Sequence, residues 1–128
     1  RRRVSTTDLP SWSPTLRHPG SMHRQSTWRE RATNFDLPLP LWLRVAFMAF
    51  AHHKANGHAA FKDGELGKVL GTEKRQLRRA LADAKAYGYL DPKSTLRCLV
   101  VPANSTYGGI GKSSAPCPHC DAKKSKAA

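Results

Sequence analysis

The sequence predicts a small, mainly α-helical domain that ends in a short β-hairpin and is flanked by two disordered basic tails. Three observations predict it. Nearly all the large apolar side chains of the 128-residue chain fall between residues 35 and 102. Within that stretch the apolar positions recur at helical spacing. Glycine and Asp-Pro steps then break it before two short runs of strand character. A segment of that length supports one modest core and not two.

Residues 1–34 carry seven arginines against Asp8 and Glu30, are rich in Ser, Thr and Pro, and show no sustained apolar period. They read as a mostly disordered arm. The domain of residues 35–102 opens on Leu39-Pro-Leu-Trp-Leu-Arg-Val-Ala-Phe-Met-Ala-Phe-Ala-His-His-Lys54. Leu41, Trp42, Val45, Met48, Ala49 and His52 share one helical face, Pro40 suits a first turn, and Asn56-Gly57 suits the stop. Leu43, Phe47 and Phe50 make a second side apolar as well. That side is either covered within the domain or forms the seam of a homodimer through the 41–52 helix, and cover is the expectation.

His58 to Phe61 reads as a short strand. Asp63 offers an N-cap for a short helix through Leu70, with Glu65 in its first turn. Gly71 permits a sharp turn. A third helix runs from Thr72 or Glu73 to Tyr87, where Gly88 supplies the stop. Its apolar face is Leu77, Ala80, Leu81 and Ala84; Arg75 and Arg79 point away from that face, with Gln76 and Arg78 on the flanks. Tyr89-Leu90 and Leu96 to Val101 then read as two strands around the turn Asp91-Pro92-Lys93-Ser94. Residues 103–128 form a flexible Gly/Ser/Lys/Ala tail containing Cys117-Pro-His-Cys120.

The chain holds 22 Lys+Arg against 9 Asp+Glu, a net charge of +13. Such an excess points away from an acidic or neutral small-molecule enzyme and towards a polyanion. Three cysteines argue against a secreted disulfide framework. The longest apolar stretch, Leu37 to Ala51, is interrupted by Arg44 and is too short to span a bilayer. The basic start runs into a polar, Pro-bearing segment, unlike a signal peptide, and the opening at Arg1 without a methionine points to a fragment or a processed product. Expected surroundings are cytoplasmic and nucleoid-associated.

Short helix, glycine turn, basic helix and hairpin together resemble a winged helix-turn-helix DNA-binding domain. The resemblance is carried by Glu65-Leu-Gly-Lys-Val-Leu-Gly71, Thr72-Glu-Lys-Arg-Gln-Leu-Arg-Arg-Ala-Leu81 and Tyr87-Gly-Tyr-Leu-Asp91, and spans roughly residues 39–101. Leu70, Gly71, Leu77, Arg79, Ala80 and Leu81 fit the family's recognition-helix form. Glu73 departs from it, standing where a Ser or Thr cap is usual. Overall the segment is similar to small regulators of actinobacterial chromosomes, phages and plasmids. The resemblance implies sequence-specific binding of double-stranded DNA, as a transcriptional regulator or as a replication or partition accessory protein of a mobile element. A different class is a zinc-stabilised adaptor for RNA or an acidic protein.

Side-chain chemistry assigns the expected contacts. Arg75, Gln76 and Arg79 are the candidate base readers, since arginine forks onto guanine and glutamine pairs with adenine. Lys74, Arg78, Lys93 and Arg97 are placed for phosphates, and Thr72 for the backbone. No acid lies between Lys74 and Arg79, whereas an ordinary solvated face carries acidic partners at i+4. Arg1, Arg2 and Arg3 add nonspecific attraction.

Two motifs invite enzyme readings and fail them. Tyr107-Gly-Gly-Ile-Gly-Lys-Ser113 resembles a deviant Walker loop, but Pro116 and Pro118 follow where a phosphate loop needs a helix. Cys117-Pro-His-Cys120 equals a redox motif, but the βαβ context that would lower a thiol pKa is absent. The chain is therefore expected not to be an enzyme. A zinc knuckle fits better: Cys117 and Cys120 reach one tetrahedral metal, Cys98 adds a third ligand, and His52, His53, His58 or His119 the fourth.

Overall fold

The apolar stripe of the basic helix is buried as its spacing requires: Leu77, Ala80, Leu81 and Ala84 all lie in the main core. A computed structural model describes residues 21–103, 106, 108–112, 114–117 and 120. The helices are α1 (Gln25–Thr33), α2 (Leu41–His52), α3 (Glu65–Leu70) and α4 (Lys74–Ala86). Strands β1 (His58–Ala60) and β2 (Cys98–Val100) pair antiparallel, with His58 opposite Val100 and Ala60 opposite Cys98. The domain is thus mainly helical with a small two-stranded sheet. Among the described residues no helix is long and apolar enough to cross a membrane.

Helix α2 is central, packed between α1 and α4. Val45, Met48 and Ala49 enter the core, with Trp42, Phe47 and Phe50 packed against it. The side of α2 that the sequence leaves open to a dimer seam is covered by α1, whose Trp28 lies 5.0 Å from the Phe47 ring and 5.6 Å from Phe50. Residues 25–33 therefore depart from the disordered arm expected over 1–34. They lack an apolar period because α1 buries little beyond Ala32 and Trp28 and is held largely by polar ties. The Gln25 amide donates to the carbonyls of Phe50 and His53, occupying acceptors that the end of α2 leaves unpaired. Arg44 reciprocates from α2: buried, it donates to the carbonyls of Ala32, Asn34 and Leu37, capping the end of α1. Arg1, Arg2 and Arg3 lie outside the described residues.

Helix α2 stops at His52, before Asn56-Gly57, because the chain turns at once: Gly57 N–H donates to Lys54 O, and Lys54 N–H to His58 O. The Arg29 guanidinium donates to His52 Nε2 at 2.7 Å, so that nitrogen carries no proton. Burial first, then the Arg29 charge, hold the His52 pKa below its usual 6.5, against a weaker opposing pull from Glu65. Protonation is thus disfavoured in the folded state. Stability contributed by this site is complete above the unfolded pKa and falls as pH drops through about 6.5 towards the lowered folded value. Denaturant titrations between pH 7.5 and 6 should show this loss in the parent protein and a shallower one in His52→Gln.

Helix α3 is capped by Gly64 rather than Asp63. Gly71 closes it with φ +64°, a left-handed conformation that a side chain resists, and Thr72 N–H reaches back to Gly67 O. The N-cap of α4 is Glu73, without a side-chain cap bond. At its other end Gly88 N–H donates to Lys85 O and Tyr89 N–H to Ala84 O, a Schellman closure.

The first strand of the expected hairpin does not form. Residues 91–95 fold as a turn, in which Asp91 N–H donates to Val100 O and the buried Ser94 hydroxyl bridges to Val100. The second strand shortens to Cys98–Val100 and takes β1 as its partner. Only an isolated Thr95–Cys98 bridge closes the hairpin tip around Leu96 and Arg97.

Candidate nucleic-acid interface and metal centre

Opposite the buried stripe of α4, Lys74, Arg75, Gln76, Arg78 and Arg79 are all exposed. None of the four cations has a hydrogen-bond or ion-pair partner among the described residues. A helix surface carrying four uncompensated cations within its first two turns has a concentrated positive field. The Thr72 hydroxyl donates to Gln76 Oε1 at 2.9 Å. Thr72 is thereby a positioning group for Gln76, whose amide nitrogen stays available and whose oxygen keeps a second lone pair.

The hairpin contributes two further exposed cations. Lys93 sits in the turn set by Asp91, whose carboxylate accepts from Lys93 N–H. Arg97 lies at the tip, and its carbonyl accepts from Phe61 N–H at 2.7 Å. The hairpin and the first turn of α4 meet at a cleft of about 400 Å³, lined among others by Lys68, Lys74, Leu96 and Arg97. The sequence marked Lys74 and Arg97; Lys68 carried no signal because it reads as one more solvated lysine of α3.

The second constellation lies on the outer face of the sheet. Ala59 and Leu99 point into the main core, while Cys98 and Val100 alternate to the other side. There they meet Cys117, itself buried, with Cys120 packed alongside. His58 joins them diagonally across the strand pair: its Nδ1 is 3.2 Å from Cys98 Sγ and 3.7 Å from Cys120 Sγ. Cys98 Sγ and Cys117 Sγ are 3.5 Å apart, and the ligating atoms of all four residues lie within 4.8 Å of one another. Zn–S and Zn–N bonds of about 2.3 and 2.0 Å place tetrahedral ligands about 3.5–3.8 Å apart. The cluster therefore has the donors and spacing to hold one metal ion. Burial and the adjoining Cys117 and Cys120 push the Cys98 thiol pKa far up when no cation is present. Cys120 N–H donates to Cys117 Sγ at 3.4 Å.

The three cysteines expected from sequence are thus brought together, and the histidine that joins them is His58. His52 is engaged by Arg29, and the His53 ring faces the Lys54 carbonyl. His119 lies outside the described residues. Sequence could not choose among the histidines, because the choice depends on the β1–β2 register.

The glycine-rich segment takes part in this closure. Ile110 O accepts from Ala55 N–H, and the Asn56 amide donates to Ala115 O. Gly109 has φ +106°, and a Cβ there would stand 2.8 Å from Lys54 C and 2.9 Å from His53 O. Gly109→Ala is expected to loosen this segment, read as faster amide exchange at Ala55 with α4 unaffected. A scan against protein-family models and searches of curated proteins and of solved structures found no match.

Proposed function

We propose that this chain is a sequence-specific double-stranded DNA-binding module of winged helix-turn-helix type, acting in transcriptional regulation or in replication of a mobile element. The observation that carries the reading is the exposed, unpaired cationic face of α4 set opposite a buried apolar stripe. A helix of that width enters a major groove, and its first two turns present Arg75, Gln76 and Arg79 to base edges. Lys74, Arg78, Lys93 and Arg97 neutralise phosphates on either side. The order helix, strand, two helices joined at Gly71, and strand supports the reading, with a hairpin shorter than a full wing.

The ion proposed for the His58, Cys98, Cys117 and Cys120 cluster is zinc. Three thiolates and an imidazole suit it, and four protein ligands leave no open position, so its role is structural.

Selection of binding sites from a random duplex pool tests the DNA reading: an enriched motif supports it. Equal recovery of all sequences, or preference for RNA or an acidic protein, replaces it with the adaptor reading. Lys93→Ala should weaken every duplex alike and reduce the slope of log affinity against log salt by about 1.

A further inference from the structure

We infer that the zinc centre is a latch that docks the C-terminal segment onto the outer face of the sheet and fixes the hairpin tip presenting Arg97. Its last step rests on the DNA-binding reading; the docking step does not.

Among the described residues, the outer-face cluster is where the segment after Val101 meets the sheet. The outer-face cluster contains three buried residues, Cys98, Val100 and Cys117, two of which are ligands. Beside it, Ile110 O accepts from Ala55 N–H and Ala115 O from the Asn56 amide. Ordering a chain segment costs conformational entropy, and an apolar cluster of three buried residues offsets part of it. One ion joining His58, Cys98 and the Cys117-x-x-Cys120 pair would tie three remote stretches of chain at a point and add its binding free energy to these contacts.

The same ion reaches the hairpin through one residue. The sulfur of Cys98 is in the centre, while its backbone makes the closing bonds of the tip. Thr95 N–H donates to Cys98 O at 2.8 Å, and Cys98 N–H donates to Thr95 O at 3.2 Å. Leu96 and Arg97 are the two residues enclosed. Fixing Cys98 therefore fixes the loop that carries Arg97. Helix α4 shares no ligand with the centre and sits on the opposite face of the sheet's core contacts. Metal loss should thus release the hairpin and tail, and leave the recognition helix folded.

The full chain, purified without chelator, should carry one zinc per molecule by elemental analysis. Removing it should accelerate amide exchange at residues 95–101 and 108–117 and open the C-terminal segment to proteolysis, with exchange across residues 77–84 little changed. His58→Cys should keep the metal and the protection; His58→Ala should lose both. Zinc-free protein as purified, copper or iron in its place, or unchanged exchange after zinc removal would overturn the latch. On a selected duplex, zinc removal should lower the salt slope by about one charge, as Arg97→Ala does in loaded protein. An unchanged slope sinks the coupling to Arg97. Absence of any duplex binding by loaded protein sinks the DNA reading, while exchange and metal content still decide the docking.

Discussion

Alanine at both Arg75 and Arg79 is expected to turn specific duplex binding into nonspecific binding. Each arginine that forks onto a base contributes about 1–3 kcal/mol of discrimination. The two stand one turn apart on α4 and, on the proposed DNA-binding reading, face neighbouring bases, so their effects should combine with some coupling. Competition of a selected duplex against a scrambled one, at a single stated salt concentration, measures the loss. Both side chains are exposed and unpaired, and the stripe that holds α4 is untouched, so the thermal midpoint should not move. Unchanged preference for the selected site would show that α4 is not the reading element.

Arg44→Met should produce the largest loss of stability of any single exchange outside the apolar core, about 2–4 kcal/mol. The guanidinium donates to three carbonyls and lies 5.1 Å from the Phe35 ring centroid. Methionine fills much of the volume and satisfies none of these acceptors. For a domain of this size the thermal midpoint should fall by about 10–25 °C. Arg44→Lys recovers only part of the loss, since a single ammonium cannot fork across the carbonyls of Ala32, Asn34 and Leu37. A midpoint within 2–3 °C of the parent in Arg44→Met, of the order expected from a neutral surface exchange, would refute the capping role.

Arg44 also shows where sequence legibility ended. Within an apolar run it looks like an interruption, because periodicity scores the charge and is blind to carbonyls brought in by another helix. Gln25 is the same case in reverse: a polar residue in a stretch without an apolar period, doing its work across 28 residues to His53 O. Helix α4 was legible almost to the residue, since its stripe, its unpaired cations and its Gly88 stop are all local. The hairpin was legible only in part. Asp91-Pro92 announces a turn, but the buried Ser94 hydroxyl that bonds to Val100 on the hairpin side leaves no trace in a pattern of hydrophobicity. Cysteine spacing named three members of the metal cluster. The fourth needed the pairing of His58 with Val100, which is a fact about register.

The two faces of the β1–β2 pair imply an order of assembly. Among the described residues, the main core precedes Pro102, whereas Cys117 and Cys120 follow it in the chain. A ribosome delivers the helical core complete before either of those thiols emerges. An ion at the proposed metal centre would then close a domain that is already packed, instead of nucleating one. Shortage of metal during synthesis would accordingly yield a protein with α4 in place and an unfastened end, a defect of finishing and not of folding.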